Sequence, residues 1–137
     1  MKIRPALPSE MKTIDEISLR FDLDSNDTAY EQFLVAEIGG RLAGFGRLIQ
    51  RKNAMELGTV GVLEEYRGKG VAAGIVQELI KKAGKKALYL TTLIPSYFKR
   101  FGFEKMDTPA PKSMIRKKEW CDGCKQVGCT LMHRSPK

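Results

Sequence analysis

A glycine-rich turn joins an apolar, strand-like segment to an amphipathic helix, and it restricts the fold more than any other feature of the sequence. The turn reads Arg67-Gly-Lys-Gly-Val-Ala72. The segment before it, 55–63, is apolar at alternating positions and then at nearly all positions, which is typical of a central strand. In the segment after it, apolar residues recur at helical spacing and Gly84 ends the helix; they are Ile75, Val76, Leu79, Ile80 and Ala83. A strand that runs directly into a helix indicates an α/β fold.

The residues before this turn predict a strand, a helix and a hairpin. Residues 2–4 form a short strand, and Ser9 can cap the helix that follows. The apolar residues of this helix fall on roughly one face: Met11, Ile14, Ile17 and Leu19. A polar segment, 22–30, connects it to the next strand by a loop or a weak helix. Two β-favouring runs then flank Gly39-Gly40, and such a pair supplies the positive φ that a tight antiparallel hairpin requires.

The residues after the long helix continue the alternation of strands and helices. Residues 87–93 are strand-like, and Pro95 can occupy the first turn of a short helix that ends at Gly102. A short strand begins at Phe103, and residues 129–133 could add an edge strand. The predicted order is therefore βα, βββ, αβαβ and a tail.

Length and composition predict one domain. The chain has 137 residues, of which 42% are hydrophobic, and this is the size of a single globular domain, 1–137, with 105–137 as its basic, cysteine-containing C-terminal segment. No stretch approaches the roughly 20 apolar residues that span a bilayer, and the start lacks the apolar run of a secretory signal. We therefore expect a soluble cytoplasmic protein that has no membrane partner.

The turn at 67–72 has the chemistry of a phosphate-binding site. Gly68 and Gly70 let backbone N–H groups approach a ligand, and the following helix directs its unpaired N–H groups and positive dipole end to the same point. Arg67 and Lys69 add positive charge. The segment lacks GxxxxGK[ST] and the third glycine of a dinucleotide fingerprint, so neither of those folds is supported. An ordinary strand-to-helix turn is the alternative that the pattern leaves open.

The segment Val62-LEEYRGKGVA resembles the signature of the GNAT acetyltransferase superfamily. The acetyl-CoA loop of that family has the form [QR]-x-x-G-x-[GA], which Arg67, Gly70 and Ala72 satisfy. Three further segments look like the family's hairpin, fourth strand and last helix with its strand, namely FLVAEIGGRLAGFGRL, ELGTVGV and PSYFKRFGF. The resemblance covers about residues 3–105. It implies a mixed, mostly antiparallel central sheet with flanking helices and a splay between the fourth and fifth strands.

The same resemblance implies acetyl-CoA as cosubstrate and direct transfer of its acetyl group to an amine in a ternary complex. The positions that match the family's pantetheine-pairing strand are Val60, Gly61 and Val62, and the Val60 N–H would stabilise the oxyanion. The positions that match the diphosphate loop are Arg67, Gly68, Lys69, Gly70, Val71 and Ala72. These nine residues form the predicted cofactor-binding set.

Glu56 and Tyr97 complete the predicted catalytic set. Acetyl transfer needs a neutral amine, so a base is expected, and Glu56 matches a position where some family members carry a glutamate base. A surface glutamate paired with a neighbouring cation is the alternative. Many family members protonate the thiolate with a tyrosine at the position that is Phe98 here. Tyr97 points about 100° away on a helix, so either solvent or Tyr97 supplies the proton, or Tyr97 only packs.

The acceptor is expected to be a small anionic amine. The YFKRFGF segment and the tail resemble small proteins similar to N-acetylglutamate synthase, which implies an amino acid such as glutamate. The net charge of +8 suits such a ligand. The candidates for pairing with its carboxylates are Arg20, Arg47, Arg100, Arg116 and Lys117. A homodimer is compatible with these features.

The tail carries the pattern on which a different class of function depends. Cys121, Cys124, Cys129 and His133 have the spacing of a Cys₃His zinc site, and the segment from Lys105 onward has eight basic and three acidic residues. A zinc-bearing basic tail would suggest a CoA-binding regulator or a nucleic-acid-binding module. A solvated basic face with reduced thiols is the alternative, and we expect neither a metal nor a nucleic-acid partner.

Overall fold

The computed structural model describes residues 1–25, 27–51, 54–106 and 130–135. The strands are Lys2–Pro5 (β1), Phe33–Ile38 (β2), Arg41–Arg51 (β3), Ala54–Val62 (β4), Leu88–Thr92 (β5), Glu104–Lys105 (β6) and Thr130–Arg134 (β7). The α-helices are Met11–Arg20 (α1), Val71–Ala83 (α2) and Pro95–Lys99 (α3), and short 3-10 helices lie at Pro8–Glu10, Tyr30–Gln32 and Glu64–Tyr66. The predicted order of strands and helices is confirmed.

The seven strands form one sheet in the order β1-β2-β3-β4-β5-β7-β6. β2 pairs antiparallel with β1 and β3, and β7 pairs antiparallel with β5 and β6. β4 pairs with β5 in parallel, at Met55–Leu88 and Glu56–Tyr89. This confirms the mixed, mostly antiparallel α/β sheet, whereas the splay between β4 and β5 stays a prediction.

By the contacts between its Cα atoms, the chain divides into two compact units. The first contains residues 1–48 and 58–82, and the second contains residues 49–57 and 83–137. Strands β3 and β4 each pass from one unit to the other. The assignment of 1–137 to a single domain stays a prediction.

In the first unit, α1 buries Ile14 and Ile17 against Phe33, Val35 and Phe45. The rings of Phe33 and Phe45 meet edge to face, with 6.0 Å between their centroids. Leu19 was assigned wrongly to the buried face, since 67% of it is exposed. At 100° per residue, the position next to Ile14 and Ile17 on that face is Ser18, which is buried.

The start of α1 also differs from the prediction. Glu10, not Ser9, occupies the N-cap, because a 3-10 turn over Pro8–Glu10 precedes the helix. The Glu10 carboxylate accepts hydrogen bonds from both terminal nitrogens of Arg4, each at 2.9 Å, and from the Leu7 N–H at 2.8 Å. These bonds from Arg4 hold the pKa of Glu10 below its usual value against the opposing effect of burial.

α2 packs closely on β3 because two strand positions lack a side chain. A Cβ on Gly44 would lie 3.0 Å from Cγ1 of Val71, and a Cβ on Gly46 would lie 2.8 Å from Cγ2 of Ile75, both on α2. Any larger residue would therefore push the helix away from the strand. The predicted glycine turn at 39–40 is confirmed, with φ of +59° and +75°.

In the second unit, β5 and β7 pair along all five residues of each strand. Leu88, Leu90 and Met132 are buried on one side, and Phe98 and Phe103 are buried as well. The expectation that the terminal segment forms an edge strand is wrong. β7 lies between β5 and β6 because the two-residue β6 pairs with its other side at His133 and Met132.

None of the helices in the described ranges has the length and apolar character that a membrane crossing requires. The cytoplasmic location stays a prediction.

Candidate active site

In the first unit, the end of β4 and the start of α2 build the predicted phosphate-binding turn. Gly68 and Gly70 have φ of +78° and +77°, and the space where a Cβ would stand is open at both. Glycine is therefore favoured here by backbone conformation and not by lack of room. The Gly70 carbonyl accepts the Gly74 N–H at 3.0 Å. Because this bond begins the helix, the first N–H groups of α2 have no partner within it.

The two cations of the turn differ in their surroundings. Nε of Arg67 donates to the Val62 carbonyl at 3.1 Å, and its guanidinium lies 4.9 Å from the centroid of the Phe21 ring. Nζ of Lys69 lies 5.8 Å from the centroid of the Tyr66 ring, and Lys69 is exposed. Lys69 thus has the freer side chain. Through its bond to Val62, Arg67 links the turn to the end of β4.

The middle of β4 departs from regular strand geometry at Thr59, whose φ is +51°. A β-branched residue rarely adopts this conformation. Thr59 Oγ1 accepts from Nε of Arg47 at 2.8 Å and donates to the Asp24 carbonyl at 2.8 Å. The irregular residue directly precedes Val60, the first of the three predicted pantetheine-pairing positions.

Arg47 is fully buried, with 0% of the residue exposed. Nη1 donates to Gln32 Oε1 at 2.8 Å, and the guanidinium lies 5.6 Å from the centroid of the Phe33 ring. The Asp24 carboxylate lies 3.7 Å from Nη2. Proposed from the sequence as a ligand of acceptor carboxylates, Arg47 instead has its hydrogen bonds within the protein. No local signal in the sequence indicated this, because its partners are 12 to 23 residues away.

In the second unit, Glu56 is buried, with only 2% exposed, and it lies in the parallel pair with β5. Its Oε1 is 2.5 Å from Nε of Arg51, so the carboxylate is charge-paired. The sequence offered a buried base and a cation-paired surface glutamate as alternatives. Glu56 is buried, as expected for the base, and it is also paired with a cation, as expected for the surface glutamate.

A row of polar side chains crosses the second unit from Glu56. Glu56 lies opposite Tyr89, Tyr89 opposite His133, and His133 opposite Glu104. Directly opposite residues of neighbouring strands project from the same side of a sheet. The Tyr89 and His133 rings stack with 6.5 Å between centroids. No local sequence pattern indicates Tyr89, because register across strands has no local signature.

α3 places Tyr97 among aromatic rings. Its ring centroid lies 5.2 Å from that of Phe98 and 5.5 Å from that of Phe101, and the Arg100 guanidinium lies 4.5 Å from the same centroid. Phe98 is buried, and Tyr97 is half-buried. Tyr97 therefore packs against neighbouring rings, as the alternative to a role as proton donor predicts.

The remaining residues predicted to bind the acceptor or a metal lie on the surface of the first unit or outside the described ranges. Arg20 pairs with Glu64 at 3.1 Å on the surface of the first unit. Several residues named from the sequence fall outside the described ranges: Arg116, Lys117, Cys121, Cys124 and Cys129. Within the part of the chain that the structure describes, no group of three or more His, Cys, Asp or Glu could hold a metal ion.

Comparison with known proteins identifies the family of this chain. The model of the acetyltransferase (GNAT) family matches residues 3–103. A curated N-acetyltransferase of Chlorobaculum tepidum, itself uncharacterised, is 27% identical over 104 residues. The match covers 71% of this chain and 64% of that protein. The chain therefore spans less than two thirds of the length of this curated relative.

Solved structures share the fold. Rv2747 of Mycobacterium tuberculosis, in complex with CoA and NLQ, superposes with a TM-score of 0.79 at 20% identity over the whole of both chains. The N-acetylglutamate synthase of Neisseria gonorrhoeae, in complex with coenzyme A and N-acetyl-glutamate, gives a TM-score of 0.80 at 18% identity. That match covers 99% of this chain and 35% of the synthase. Given the family model that matches most of its length and the strand–turn–helix site that it carries, this chain belongs to the GNAT acetyltransferase family.

Proposed function

We propose that the protein is an N-acetyltransferase that moves the acetyl group of acetyl-CoA to the primary amine of a small molecule. The observation that carries the proposal is the turn 67–70 at the start of α2. Two glycines at positive φ precede a 13-residue helix whose first N–H groups have no partner within it. Such a helix start binds diphosphate through backbone N–H groups and the helix dipole.

The coenzyme would be bound by backbone more than by side chains. The N–H groups of Gly68, Lys69, Gly70, Val71 and Ala72 are the proposed donors to the diphosphate, and Lys69 adds a charge. Arg67 would act through the packing of its guanidinium against β4 and Phe21. The proposed pairing partners of the pantetheine arm are the backbone groups of Val60, Gly61 and Val62. Because these contacts are made by backbone atoms, they tolerate many side chains.

The proposed reaction is a direct attack. The amine nitrogen forms a bond to the thioester carbonyl carbon, the Val60 N–H stabilises the resulting oxyanion, and the C–S bond then breaks. Glu56 accepts the proton that the amine loses, directly or through water. The coenzyme A thiolate takes up a proton, supplied by Tyr97 or by solvent. Burial of Glu56 and its link to Arg51 give this base a defined position.

The proposed acceptor is an amino acid such as glutamate. The net charge of +8 favours anionic ligands, and the gonococcal synthase with the same fold is the protein that carries N-acetyl-glutamate. Among the arginines named from the sequence, Arg100 is exposed beside Tyr97. We assign it to the acceptor carboxylate. The homodimer stays a prediction.

Two measurements on the wild-type protein test the proposal. Calorimetric titration with coenzyme A is expected to show binding, and incubation with acetyl-CoA and L-glutamate is expected to release thiol and form the acetylated amine. The panel also includes other amino acids, a peptide with a free N-terminus and a polyamine. Binding of coenzyme A without turnover on any amine would favour the CoA-binding regulator, and no binding would contradict both readings.

A matched pair of acceptors tests Arg100. Arg100→Met is expected to raise the KM for glutamate at least about tenfold, as loss of a charge-assisted contact predicts. The same variant should leave the KM for glutamate diamide, which has no carboxylate, within about twofold of wild type. Equal effects on both acceptors would remove Arg100 from the acceptor site.

A further inference from the structure

Thr59 has a backbone conformation that its side chain opposes. In the described ranges three non-glycine residues have positive φ: Asp22, Asp27 and Thr59. Aspartate tolerates this conformation because its short polar side chain bonds locally, but a β-branched threonine in the middle of a strand does not. A residue in such a region is destabilising and persists only where its surroundings impose it.

The surroundings of Thr59 do impose its conformation. Oγ1 is held from two directions, by Nε of Arg47 and by the Asp24 carbonyl, each at 2.8 Å. The other nitrogens of Arg47 are bound in turn to Gln32 Oε1 at 2.8 Å and to the carbonyls of Asp24 and Asp27 at 3.4 and 3.5 Å. One buried guanidinium thus ties the irregular residue of β4 to the segment between α1 and β2.

Stability alone gives a weak reason for this arrangement. Burying a guanidinium removes its hydration, and a buried charged network is frequently no more stable than an apolar core of equal volume. The network does supply a single orientation for the backbone at Thr59. The next peptide unit contains the N–H of Val60, and its direction is set by the torsion angles of Thr59.

We propose that Arg47 and Thr59 are positioning residues that orient the Val60 N–H toward the thioester carbonyl of acetyl-CoA. The inference rests on the proposed function, in which that N–H stabilises the oxyanion. With a negative φ at Thr59, the peptide plane would turn and the N–H would point away from the carbonyl. An error of about 1 Å in such a group can cost on the order of a hundredfold in rate.

The test compares variants that keep shape with variants that remove the bonds. Thr59→Val keeps the branched side chain but removes both hydroxyl bonds, and Thr59→Ser keeps the hydroxyl. Arg47→Met removes the charge and the donors at similar length. Thr28→Val is the matched control, because it removes a hydroxyl bond to Asp15 of 2.9 Å in the same unit and has no assigned role.

We expect Thr59→Val and Arg47→Met to lower kcat about 10- to 100-fold while the KM for acetyl-CoA stays within about threefold. Thr59→Ser should be at least about tenfold faster than Thr59→Val, and Thr28→Val should match wild type. A rise in KM with kcat unchanged, or no effect on either, would overturn the inference, because it would make the network a binding or purely structural element.

The backbone amide of Val60 gives a readout that needs no turnover. In ¹⁵N-labelled wild type, acetyl-CoA should shift the Val60 proton downfield relative to coenzyme A, which lacks the carbonyl acceptor. The shift should be lost in Thr59→Val. Should Thr59→Val and Arg47→Met fail to fold, Thr59→Gly allows the same φ without the hydroxyl and should also lose the shift. A shift that survives in Thr59→Gly would contradict the inference.

The two readouts separate this inference from the proposed function. A wild-type protein whose Val60 amide responds to acetyl-CoA but which acetylates no amine would contradict the transferase and support the orientation of the N–H. A wild-type protein that acetylates an amine while its Val60 amide does not respond to acetyl-CoA would support the transferase and contradict the proposed orientation of the N–H.

Discussion

Nε of Arg51 lies 2.5 Å from Oε1 of Glu56, whose side chain is only 2% exposed. The pair lies in the second unit, where β4 runs parallel to β5. A buried carboxylate without a cation would be costly, so Arg51 stabilises the position that the proposed base requires.

Glu56→Gln is expected to lower kcat about 10²- to 10³-fold near pH 7, because the variant cannot accept the proton of the amine. The loss should shrink as the pH approaches the amine pKa of about 8–10, where the neutral amine needs no base. Initial rates between pH 6 and 10 measure this effect.

The affinity of Glu56→Gln for coenzyme A should stay within about threefold of wild type, since the proposed coenzyme contacts are made elsewhere. Glu78→Gln, on the exposed side of α2, is the control and should behave as wild type. A variant of Glu56 with the wild-type pH profile would exclude this residue as the base.

Gly70, in the predicted phosphate-binding turn, has a matched control in Gly84 at the other end of α2. Gly70 and Gly84 have φ of +77° and +64°, and both have open space where a Cβ would stand. Alanine at either position should therefore cost a similar free energy of unfolding, about 1–2 kcal/mol.

Only Gly70→Ala should weaken coenzyme A binding, by about tenfold, because it alone disturbs the N–H groups at the start of α2. Calorimetric titration and thermal unfolding of both variants separate the two effects. Equal affinities for coenzyme A in Gly70→Ala and Gly84→Ala would argue against a diphosphate at this turn.

Removal of the Tyr97 hydroxyl should have a small effect. Tyr97→Phe is expected to lower kcat about three- to tenfold, because a thiol with a pKa near 8.5 can take its proton from solvent when the tyrosine is absent. The matched control is Tyr30→Phe, at an exposed position of the first unit. A loss above about 100-fold would make Tyr97 the main proton donor, and no loss would leave it a packing role.

The link between Arg4 and Glu10 should make part of the stability dependent on pH. Hydrogen bonds from Arg4 lower the pKa of Glu10. Because the folded-state pKa is depressed, this contribution is fully present above the unfolded pKa, about 4.3, and is lost as the pH falls through the folded value.

Glu10→Gln should therefore lower the free energy of unfolding at pH 7 by about 1 kcal/mol or less, since both side chains are partly solvated. The difference from wild type should vanish at pH values below the folded pKa. Denaturant titrations at pH 7 and near pH 2 measure it. A difference that is the same at both pH values would mean that the ion pair is not its cause.

Local patterns were sufficient for several features of the molecule. Gly39-Gly40 marked the hairpin, because two adjacent residues at positive φ are a property of the turn itself. Residues 67–72 and the apolar spacing after them marked the turn and α2, since both depend on neighbours within a few positions. The predicted Ser9 cap was wrong because a 3-10 helix over Pro8–Glu10 precedes α1. The predicted position of Leu19 was wrong because one residue of helix is a 100° rotation, and Ser18, not Leu19, lies on the buried face.

The order of strands and helices, the hairpin and the glycine turn at 67–70 were thus determined by the sequence alone, because the residues that cause them are close together in the chain. Tertiary structure alone decided that Arg47 is buried against Thr59, that Glu56 lies beside Tyr89, and that β7 lies inside the sheet. Each of these depends on partners at least 12 residues away or on strand register. Long-range pairing brings such groups together only when the chain has folded, so no local pattern predicts it.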